Sequence, residues 1–289
     1  MKEAIQRIVQ QFAQVQTQCS DIVHPCNGSK LLTFAQVEKM VDTTQELLFP
    51  GYYANNLKKG CNLDKYTEKK LLHLQRLVEP LVKAAFCFIC DKHTKSCPNK
   101  EAVRQITLEF LESLPSINKM LITDVEATMK NDPAAGSLSE IIFAYPGFKA
   151  ITHHRIAHQL FKLGVPILPR IISEIAHSNT GIDIHPEAQV GEYFAIDHGT
   201  GTVIGGTCII GRHVTVYQGV TLGAKNFQVD SDGSIVKGQP RHPIVEDSVT
   251  IYAGAKVLGR ITIGANSVVG ANVWITDNVA PNSRMLNRN

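Results

Sequence analysis

The apolar positions of the chain follow two spacings, and the spacing changes near residue 180. Before that point apolar residues recur every three or four positions, which is the spacing of one helix face. The segments with this pattern are 1–18, 34–48, 65–90, 100–114, 117–129, 150–162 and 168–177. Ser137 and Glu140 form a capping box that begins one further helix, and Pro115 is expected to end the fourth segment. Residues 1–177 are therefore predicted to form an all-helical domain.

Beyond residue 180 an apolar residue recurs at every sixth position. The positions in step are Ile184, Val190, Ile196, Ile204, Ile210, Val216, Leu222, Val245, Ile251, Val257, Ile263, Val269 and Ile275. A period of six is too long for strand or helix alternation, and it fits one short strand and one turn per repeat. Three repeats close a triangular coil, so the pattern predicts a parallel β-helix of roughly four stacked coils. This domain is predicted to span residues 178–280, followed by a short tail at 281–289.

Two interruptions break the step of six, and both carry polar residues. The gap between Ile196 and Ile204 is eight positions, and the two extra residues fall around Asp197-His198-Gly199. The second interruption, residues 224–240, is a polar segment that we interpret as a loop extruded from the coil. The chain re-enters the coil at Arg241-His242. Because loops on rigid solenoids commonly carry the binding surface, these two points are the candidate sites of chemistry.

The first interruption places an imidazole near a carboxylate. A coil has 18 residues, and the first interruption adds two more. The residue that stacks on Asp183 in the next coil is therefore expected to be Val203, close to the end of the interruption. We therefore predict that His198 turns toward Asp183, because a carboxylate on one imidazole nitrogen leaves the other nitrogen free as a base. At the second interruption, Arg241 is suited to binding a carboxylate through two parallel hydrogen bonds.

Composition narrows the classes of protein. A chain of 289 residues with 44% hydrophobic and 19% charged residues is long enough for two folded domains. A net charge of +3 without a Lys/Arg stripe argues against a nucleic-acid partner. No run approaches the about 20 apolar residues that span a bilayer, and the N-terminus lacks the apolar core of a secretory signal. We expect a cytoplasmic protein without a membrane partner.

The chain has seven cysteines, an odd number that argues against a disulfide framework. Cys87, Cys90, His93 and Cys97 are the right ligand types for a zinc site. The alternative is that Cys87 and Cys90 are small core residues one helical turn apart, and we favour this interpretation.

Several short motifs resemble those of one enzyme family. They are Asp132-Pro133-Ala134, Gly181-Ile182-Asp183-Ile184-His185-Pro186, Ile196-Asp197-His198-Gly199-Thr200-Gly201, Gln218-Gly219-Val220-Thr221-Leu222-Gly223, Arg241-His242-Pro243 and Ala253-Gly254-Ala255-Lys256-Val257-Leu258-Gly259. Over residues 124–275, about half of the chain, the sequence is similar to serine O-acetyltransferase, a hexapeptide-repeat acyltransferase. The resemblance implies an α + β fold in which the helical domain is joined to a left-handed parallel β-helix.

The resemblance also implies an activity, the transfer of acetyl from acetyl-CoA to the hydroxyl of L-serine. The products are O-acetyl-L-serine and CoA, and this is the first step of cysteine biosynthesis. His198 matches the general base of the family, and Asp183 matches its orienting partner. The residues that match the serine site are Asp132 and Asp197, toward the ammonium, and Arg241 and His242, toward the carboxylate. Those that match the acetyl-CoA site are Gly223, Ala224, Ala253, Gly254 and Lys256. No metal and no permanently bound cofactor is implied.

Assembly and regulation follow from the same resemblance. The family forms trimers with sites between neighbouring β-helices, often paired into hexamers through the helical domain, which also supplies part of the serine site. Inhibition by L-cysteine at the serine site is a family expectation. Family members usually carry a longer tail, ending in Ile, that docks into cysteine synthase, and the short segment after Ile275 argues against that partner here. The loop after Leu222 is longer than in bacterial members, and Ala224-Lys225 replaces a Gly-Thr pair.

Three other functions fit parts of the pattern. The first is a hexapeptide acetyltransferase acting on a sugar or xenobiotic hydroxyl, which gives no reason for Asp132 together with Arg241-His242. The second is a γ-type carbonic anhydrase with zinc on His198, His213 and His242, which leaves Asp197 unexplained. The third is a β-helix scaffold without catalysis. For His213, as for His185, a solvated corner position is the interpretation we favour.

Overall fold

The computed structural model describes residues 1–18, 32–54, 60, 62–88, 98–226, 230–234, 236 and 238–286. Before residue 181 the described elements are helices, as the three-to-four spacing predicted. They are α1 (Lys2–Gln18), α2 (Phe34–Leu48), α3 (Pro50–Tyr53), α4 (Leu63–Phe88), α5 (Lys100–Asn131), α6 (Leu138–Ala144), α7 (Pro146–Lys162) and α8 (Leu168–Thr180). The apolar faces of α2, α4, α5, α7 and α8 form the core of this half. No residue of α1 is buried, so its predicted apolar face packs on none of the described helices.

One helix differs from the prediction. The segments 100–114 and 117–129 were expected to be separate helices divided by Pro115, but α5 runs through this proline without a break. Phe110, Leu114, Ile117 and Leu121 are all buried, and their spacing keeps one helix face in phase across the proline. The burial of this continuous face outweighs the loss of one backbone hydrogen bond at Pro115.

One helix start was predicted from a capping box, that of Ser137 and Glu140. Ser137 Oγ accepts a hydrogen bond from the Glu140 N–H at 3.1 Å, so the predicted start of α6 is confirmed. The box is only half formed, because the Glu140 carboxylate accepts from the Gly136 N–H at 2.9 Å. Thr33 and Gln36 complete both halves of a capping box at the start of α2.

The second half is a parallel β-helix built from fourteen short strands among the described residues. They are β1 (Asp183–Ile184), β2 (Gln189–Val190), β3 (Ala195–Asp197), β4 (Val203–Ile204), β5 (Ile209–Ile210), β6 (Thr215–Tyr217), β7 (Thr221–Gly223), β8 (Ile244–Val245), β9 (Thr250–Ile251), β10 (Lys256–Leu258), β11 (Thr262–Ile263), β12 (Val268–Val269), β13 (Trp274–Ile275) and β14 (Arg284–Met285). Sheet A has the order β1-β4-β7-β10-β13, sheet B β11-β8-β5-β2 and sheet C β14-β12-β9-β6-β3. The chain visits the three sheets in turn, so each coil is triangular.

The thirteen positions in step of six form the core of the β-helix. All of them, from Ile184 to Ile275, are buried. Since neighbouring strands pair in parallel, the same position of each coil stacks on the next, and an apolar column fills the inside. The predicted inward direction of these residues is confirmed. Among the described residues between Gly223 and Ile244, none belongs to a strand, consistent with the predicted loop at 224–240.

The β-helix continues beyond its predicted end at residue 280. In β14, Arg284 and Met285 pair with Val268 and Val269 of β12, so the segment predicted as a tail adds a fifth strand to sheet C. Both residues of β14 are exposed. Met285 follows the buried Val279 by six positions, but Val279 follows Ile275 by only four. This shift in the step is why the sequence pattern ended too early.

A buried ion pair fixes the helical half on the first coil. Arg155 of α7 donates from Nε and Nη2 to the Asp124 carboxylate of α5, both at 2.7 Å, and the two side chains are 4% and 1% exposed. Arg155 also donates to the carbonyls of Val190 and Gly191 at 3.1 and 2.8 Å. The Phe194 N–H donates to Asp124 at 3.0 Å. Burial raises the pKa of Asp124, and the charge of Arg155 opposes that rise.

Candidate active site

The first interruption of the repeat is a bulge of two residues at the corner between sheets C and A. Asp197 pairs with Tyr217 one coil further along, and the Gly219 N–H donates to the Thr200 carbonyl at 2.9 Å. Val203 pairs with Thr221, so five residues lie between Asp197 and Val203, against three between Tyr217 and Thr221 in the next coil, and the first of these coils holds two extra residues. We assign the bulge to His198 and Gly199. Their φ angles are +55° and +83°, a left-handed conformation that turns the chain out of the wall. The predicted place of the interruption is confirmed.

The bulge leaves His198 exposed. Its side chain is 72% accessible, and its Nδ1 lies 3.8 Å from Oδ1 of Asp197. Asp183 does pair with Val203, the register that the coil length predicted. Within the described chain, however, no hydrogen bond or ion pair joins His198 to Asp183. Asp183 instead faces Arg170 at 3.9 Å, and its buried Oδ1 has no hydrogen-bond partner among the described residues.

Asp132 lies at the same corner as Asp197. It follows the last residue of α5 and accepts from the Ala134 N–H at 2.8 Å and from the Tyr145 hydroxyl at 2.7 Å. The hydrogen bond to Asp132 raises the pKa of Tyr145 to about 12, with a further contribution from Asp197. Burial, followed by the charge of Asp197, raises the pKa of Tyr217. Asp132 and Asp197 therefore form one acidic group, which we call the acidic corner.

Tyrosines surround the acidic corner, and none of them was among the predicted site residues. Tyr217 and Tyr252 stack with ring centroids 5.1 Å apart. Tyr217 pairs with Asp197, and Tyr252 follows the next strand of the same sheet. A register count from Asp197 would have found both rings, whereas nothing in the sequence places Tyr145 against Asp132.

Arg241 and His242 lie at the next corner, between sheets A and B. Thr207 holds both of them, because its Oγ1 accepts from the N–H groups of Arg241 and His242 at 2.9 and 3.1 Å. The His242 ring is buried against Gly205, and a Cβ at that glycine would overlap the ring. The buried Nε of Arg241 has no hydrogen-bond partner among the described residues. We call this pair the basic corner.

The hydrogen bonds of His242 define its protonation. Nδ1 accepts from the Thr207 N–H at 3.0 Å, so the ring hydrogen is assigned to Nε2. Burial, with a further contribution from the charge of Arg241, lowers the pKa of His242 to about 4. His242 is therefore neutral near pH 7 and has an N–H donor available beside the Arg241 guanidinium. A ligand carboxylate suits such a pair.

The residues matched to acetyl-CoA binding are spread across sheet A, from the corner that holds the acidic group to the opposite edge of the sheet. Ala253 and Gly254 are at the corner between sheets C and A, and Gly223 and Lys256 are in neighbouring strands of sheet A. Ala224 directly follows Gly223. The ammonium of Lys256 donates to the Gly219 carbonyl and to Thr221 Oγ1 at 2.6 and 2.9 Å. Gly254 has a φ of +72°, and a Cβ there would overlap the Asn272 side chain.

The histidines offered as zinc ligands do not converge within one chain. His198 lies between sheets C and A, His242 between A and B, and His213 between B and C, where it stacks on Tyr193 at 4.3 Å. These are three different corners of a triangular coil. His185, the other corner histidine, accepts from the Glu187 N–H at 3.1 Å.

Two other groups bear on metal binding. Glu174, His177 and Asp183 have possible metal-ligand atoms within 4.8 Å of one another. The guanidinium of Arg170 pairs with Glu174 and faces Asp183, so positive charge is already present at these carboxylates. Of the proposed cysteine cluster, Cys90, His93 and Cys97 lie outside the described residues.

A groove of about 570 Å³ lies elsewhere on the protein, between α5 and sheet C. Glu126, Lys130, Tyr193 and His213 are among its lining residues, and none of the residues matched to the serine or acetyl-CoA site lines it. No helix in the described part of the chain combines the length and the apolar character that crossing a membrane requires.

Comparison with known proteins agrees with the motifs. A family model described as "Serine acetyltransferase, N-terminal" matches residues 55–153, and one described as "Bacterial transferase hexapeptide (six repeats)" matches residues 242–277. A curated serine acetyltransferase from Synechococcus elongatus, described as plasmid-encoded, is 46% identical over 250 residues, which are 86% of this chain and 74% of that protein.

Solved structures share the whole architecture. Serine acetyltransferase 1 of Entamoeba histolytica, in complex with L-cysteine, is 37% identical, with a TM-score of 0.75 over 96% of each chain. Soybean serine acetyltransferase, complexed with serine, is 28% identical, with a TM-score of 0.57 over 88% of this chain and 95% of that one.

Proposed function

Since the chain belongs to the serine acetyltransferase family, we propose that its acidic and basic corners together bind L-serine and that His198 deprotonates the serine hydroxyl. The enzyme is an acyltransferase with acetyl-CoA as co-substrate and no permanent cofactor. The proposal for the residues rests on one observation: the bulge projects an exposed imidazole beside the acidic corner.

The two corners match the charges of a zwitterionic amino acid. Asp132 and Asp197 supply negative charge for the serine ammonium, and Arg241 with His242 supplies donors for the carboxylate. His242 is neutral because of its low pKa, so its Nε2–H adds a hydrogen bond without adding charge. A sugar acceptor carries neither charge, and a scaffold without catalysis has no use for either corner.

The chemistry needs a base and no covalent enzyme intermediate. His198 takes the proton of the serine hydroxyl as the oxygen attacks the thioester carbonyl carbon. The tetrahedral intermediate collapses by breaking the carbon–sulfur bond, and the imidazolium returns its proton to the leaving thiolate. The products are O-acetyl-L-serine and CoA. We retain Asp183 as the orienting carboxylate, since its buried Oδ1 is free to accept a hydrogen bond.

We place acetyl-CoA along the corner between sheets C and A, against Ala253, Gly254 and Lys256, with Gly223 and Ala224 beside it. The main chain is exposed to a ligand there because Gly201, Gly219 and Gly254 stack with left-handed φ angles of +76°, +70° and +72°. Glycines without side chains allow a thin ligand arm to approach the backbone closely.

We propose that the complete site forms at the interface between two copies of the chain. His198 and Arg241 lie at opposite edges of sheet A, so a second β-helix packed on this face brings the acidic corner of one copy to the basic corner of another. A trimer, or two trimers joined through the helical halves, is the assembly that the family suggests. L-cysteine, which E. histolytica serine acetyltransferase 1 binds in its crystal structure, is the proposed inhibitor at the same site. We do not assign cysteine synthase as a partner.

Substituting Arg241 with alanine tests the serine assignment. Losing hydrogen bonds to a charged carboxylate costs about 1.5–3 kcal/mol, or roughly 10–100-fold. We expect the kcat/KM for L-serine, measured as thiol release from acetyl-CoA, to fall by that factor. With ethanolamine, which is serine without its carboxylate, the wild-type and variant enzymes should have equal kcat/KM.

Two results would oppose this assignment. One is an equal loss with both acceptors, because Arg241 would then support the fold or the acyl donor. The other is faster turnover with a sugar hydroxyl than with L-serine, which would reject the substrate.

A further inference from the structure

Gln218 occupies the one position that lies between the bulge and the proposed acetyl-CoA residues. Its neighbours in the chain, Tyr217 and Gly219, bond to Asp197 and Thr200, the residues on either side of the bulge. On its other side, the Gln218 carbonyl accepts from the Gly254 N–H at 2.9 Å. Gln218 is thus held one coil beyond the bulge and one coil before Ala253-Gly254.

The side-chain oxygen of Gln218 lacks a hydrogen-bond donor in the described part of the chain. This atom, Oε1, is buried. Buried amide oxygens in folded proteins nearly always accept a hydrogen bond, and an exception needs an explanation. The backbone around Gln218 is hydrogen-bonded on both sides, whereas the residue as a whole is only half-buried, so a rotation of its side chain is what would present Oε1 to a ligand.

The missing partner must be a donor, and the proposed ligands offer few. The serine hydroxyl gives its proton to His198, and the serine ammonium faces Asp132 and Asp197. In acetyl-CoA, the first N–H after the thioester belongs to an amide two methylene groups beyond the sulfur. Successive coils are about 4.8 Å apart, so a thioester beside the bulge places that amide about one coil further along, at Gln218.

We propose that Oε1 of Gln218 accepts a hydrogen bond from the acetyl-CoA amide nearest the thioester. The contact fixes the arm of the acyl donor so that its carbonyl carbon lies beside the serine oxygen. This inference rests on the proposed function and adds to it a residue that selects and positions the acyl donor. The amide contributes by binding and takes no part in the transfer of protons.

The test compares two acyl donors in two forms of the full-length enzyme. One donor is acetyl-CoA, and the other is an analogue whose amide nearest the thioester is replaced by an ester, which lacks the N–H. For the wild-type enzyme we expect the analogue to have a kcat/KM about tenfold lower, as for one neutral hydrogen bond. For Gln218→Leu we expect both donors to have the same kcat/KM, close to that of the wild-type enzyme with the ester.

Gln189→Leu is the matched control, because Gln189 is exposed on sheet B of the same β-helix. It should keep the full preference for the amide donor. The inference is overturned if Gln218→Leu also keeps that preference, if it slows both donors equally, or if the wild-type enzyme treats the two donors alike. Failure of the proposed function is a different result, namely no serine-dependent release of thiol from acetyl-CoA by the wild-type enzyme.

Discussion

Replacing His198 with alanine is expected to lower kcat for serine acetylation by roughly 10²–10⁴-fold, the usual contribution of a general base. The loss should fall on kcat, because His198 acts on the proton transferred in the transition state and the charged corners still bind serine. The fold should not change, since the side chain is 72% exposed and the left-handed backbone at this position already accommodates a residue with a Cβ, as alanine has. Steady-state kinetics of thiol release measure the effect.

His213→Ala is the matched control for this prediction. His213 is also exposed, is also at a corner of the β-helix and has a φ of +57°, close to the +55° of His198. It differs in packing on Tyr193 instead of lying beside a carboxylate. We expect His213→Ala to have near-normal kcat. Equal activity of the His198 and His213 variants would remove His198 from the chemistry.

Replacing Arg155 with methionine is expected to destabilise the protein by about 3–5 kcal/mol, because Asp124 would be left buried and unpaired. The carbonyls of Val190 and Gly191 would also lose their donor, so the attachment of the helical half to the first coil would be weakened. Chemical denaturation followed by circular dichroism measures the change in free energy of unfolding. Replacing both partners, Arg155→Met with Asp124→Leu, should recover part of the loss.

Arg170→Met serves as the control for the buried pair. Arg170 also binds a carboxylate, that of Glu174, but the two side chains are 43% and 37% exposed. An exposed pair of this kind contributes about 0–1 kcal/mol, so this variant should be nearly as stable as the wild type. A loss for Arg155→Met no greater than that for Arg170→Met would contradict the role of the buried pair in joining the two halves.

The β-helix and its interruptions were predictable because each coil repeats the same local rule. An apolar residue at every sixth position must point inward, so a coil of 18 residues fixes the register, and the pairing of Asp183 with Val203 follows from counting. The same counting located the bulge at His198-Gly199. It failed at β14, because the step shortens to four positions between Ile275 and Val279, so Met285 falls out of the earlier count.

Contacts between the two halves were not predictable from local patterns. Arg155 and Asp124 are 31 positions apart on different helices, and an isolated charged residue on a helix most often faces solvent. Pro115 was misjudged because the rule for proline is local, whereas the buried face that carries α5 through it is a property of the tertiary core. Gln218 was visible as part of a motif, but its unpaired oxygen becomes evident only when the coils are stacked.

The predicted contact between His198 and Asp183 failed for another reason. The register is as expected, yet the exposed imidazole lies beside Asp197, since the side-chain direction at a left-handed residue does not follow from counting. The acidic and basic corners likewise lie apart on one chain. In the proposed assembly a neighbouring copy brings the two corners together. The pattern of a single sequence does not show how two copies pack.

The central claim, that one copy's acidic corner and another copy's basic corner form the serine site, is tested most directly by mixing two variants that are each strongly impaired. His198→Ala and Arg241→Ala chains are expressed together with different tags, and the mixed oligomers are purified and assayed with L-serine and acetyl-CoA. If each site takes one corner from each of two copies, every trimer that contains both variants has one site of its three with both corners intact, so activity should recover toward a third of wild type. Mixed oligomers no more active than the two parent variants would mean that both corners of each site belong to the same chain.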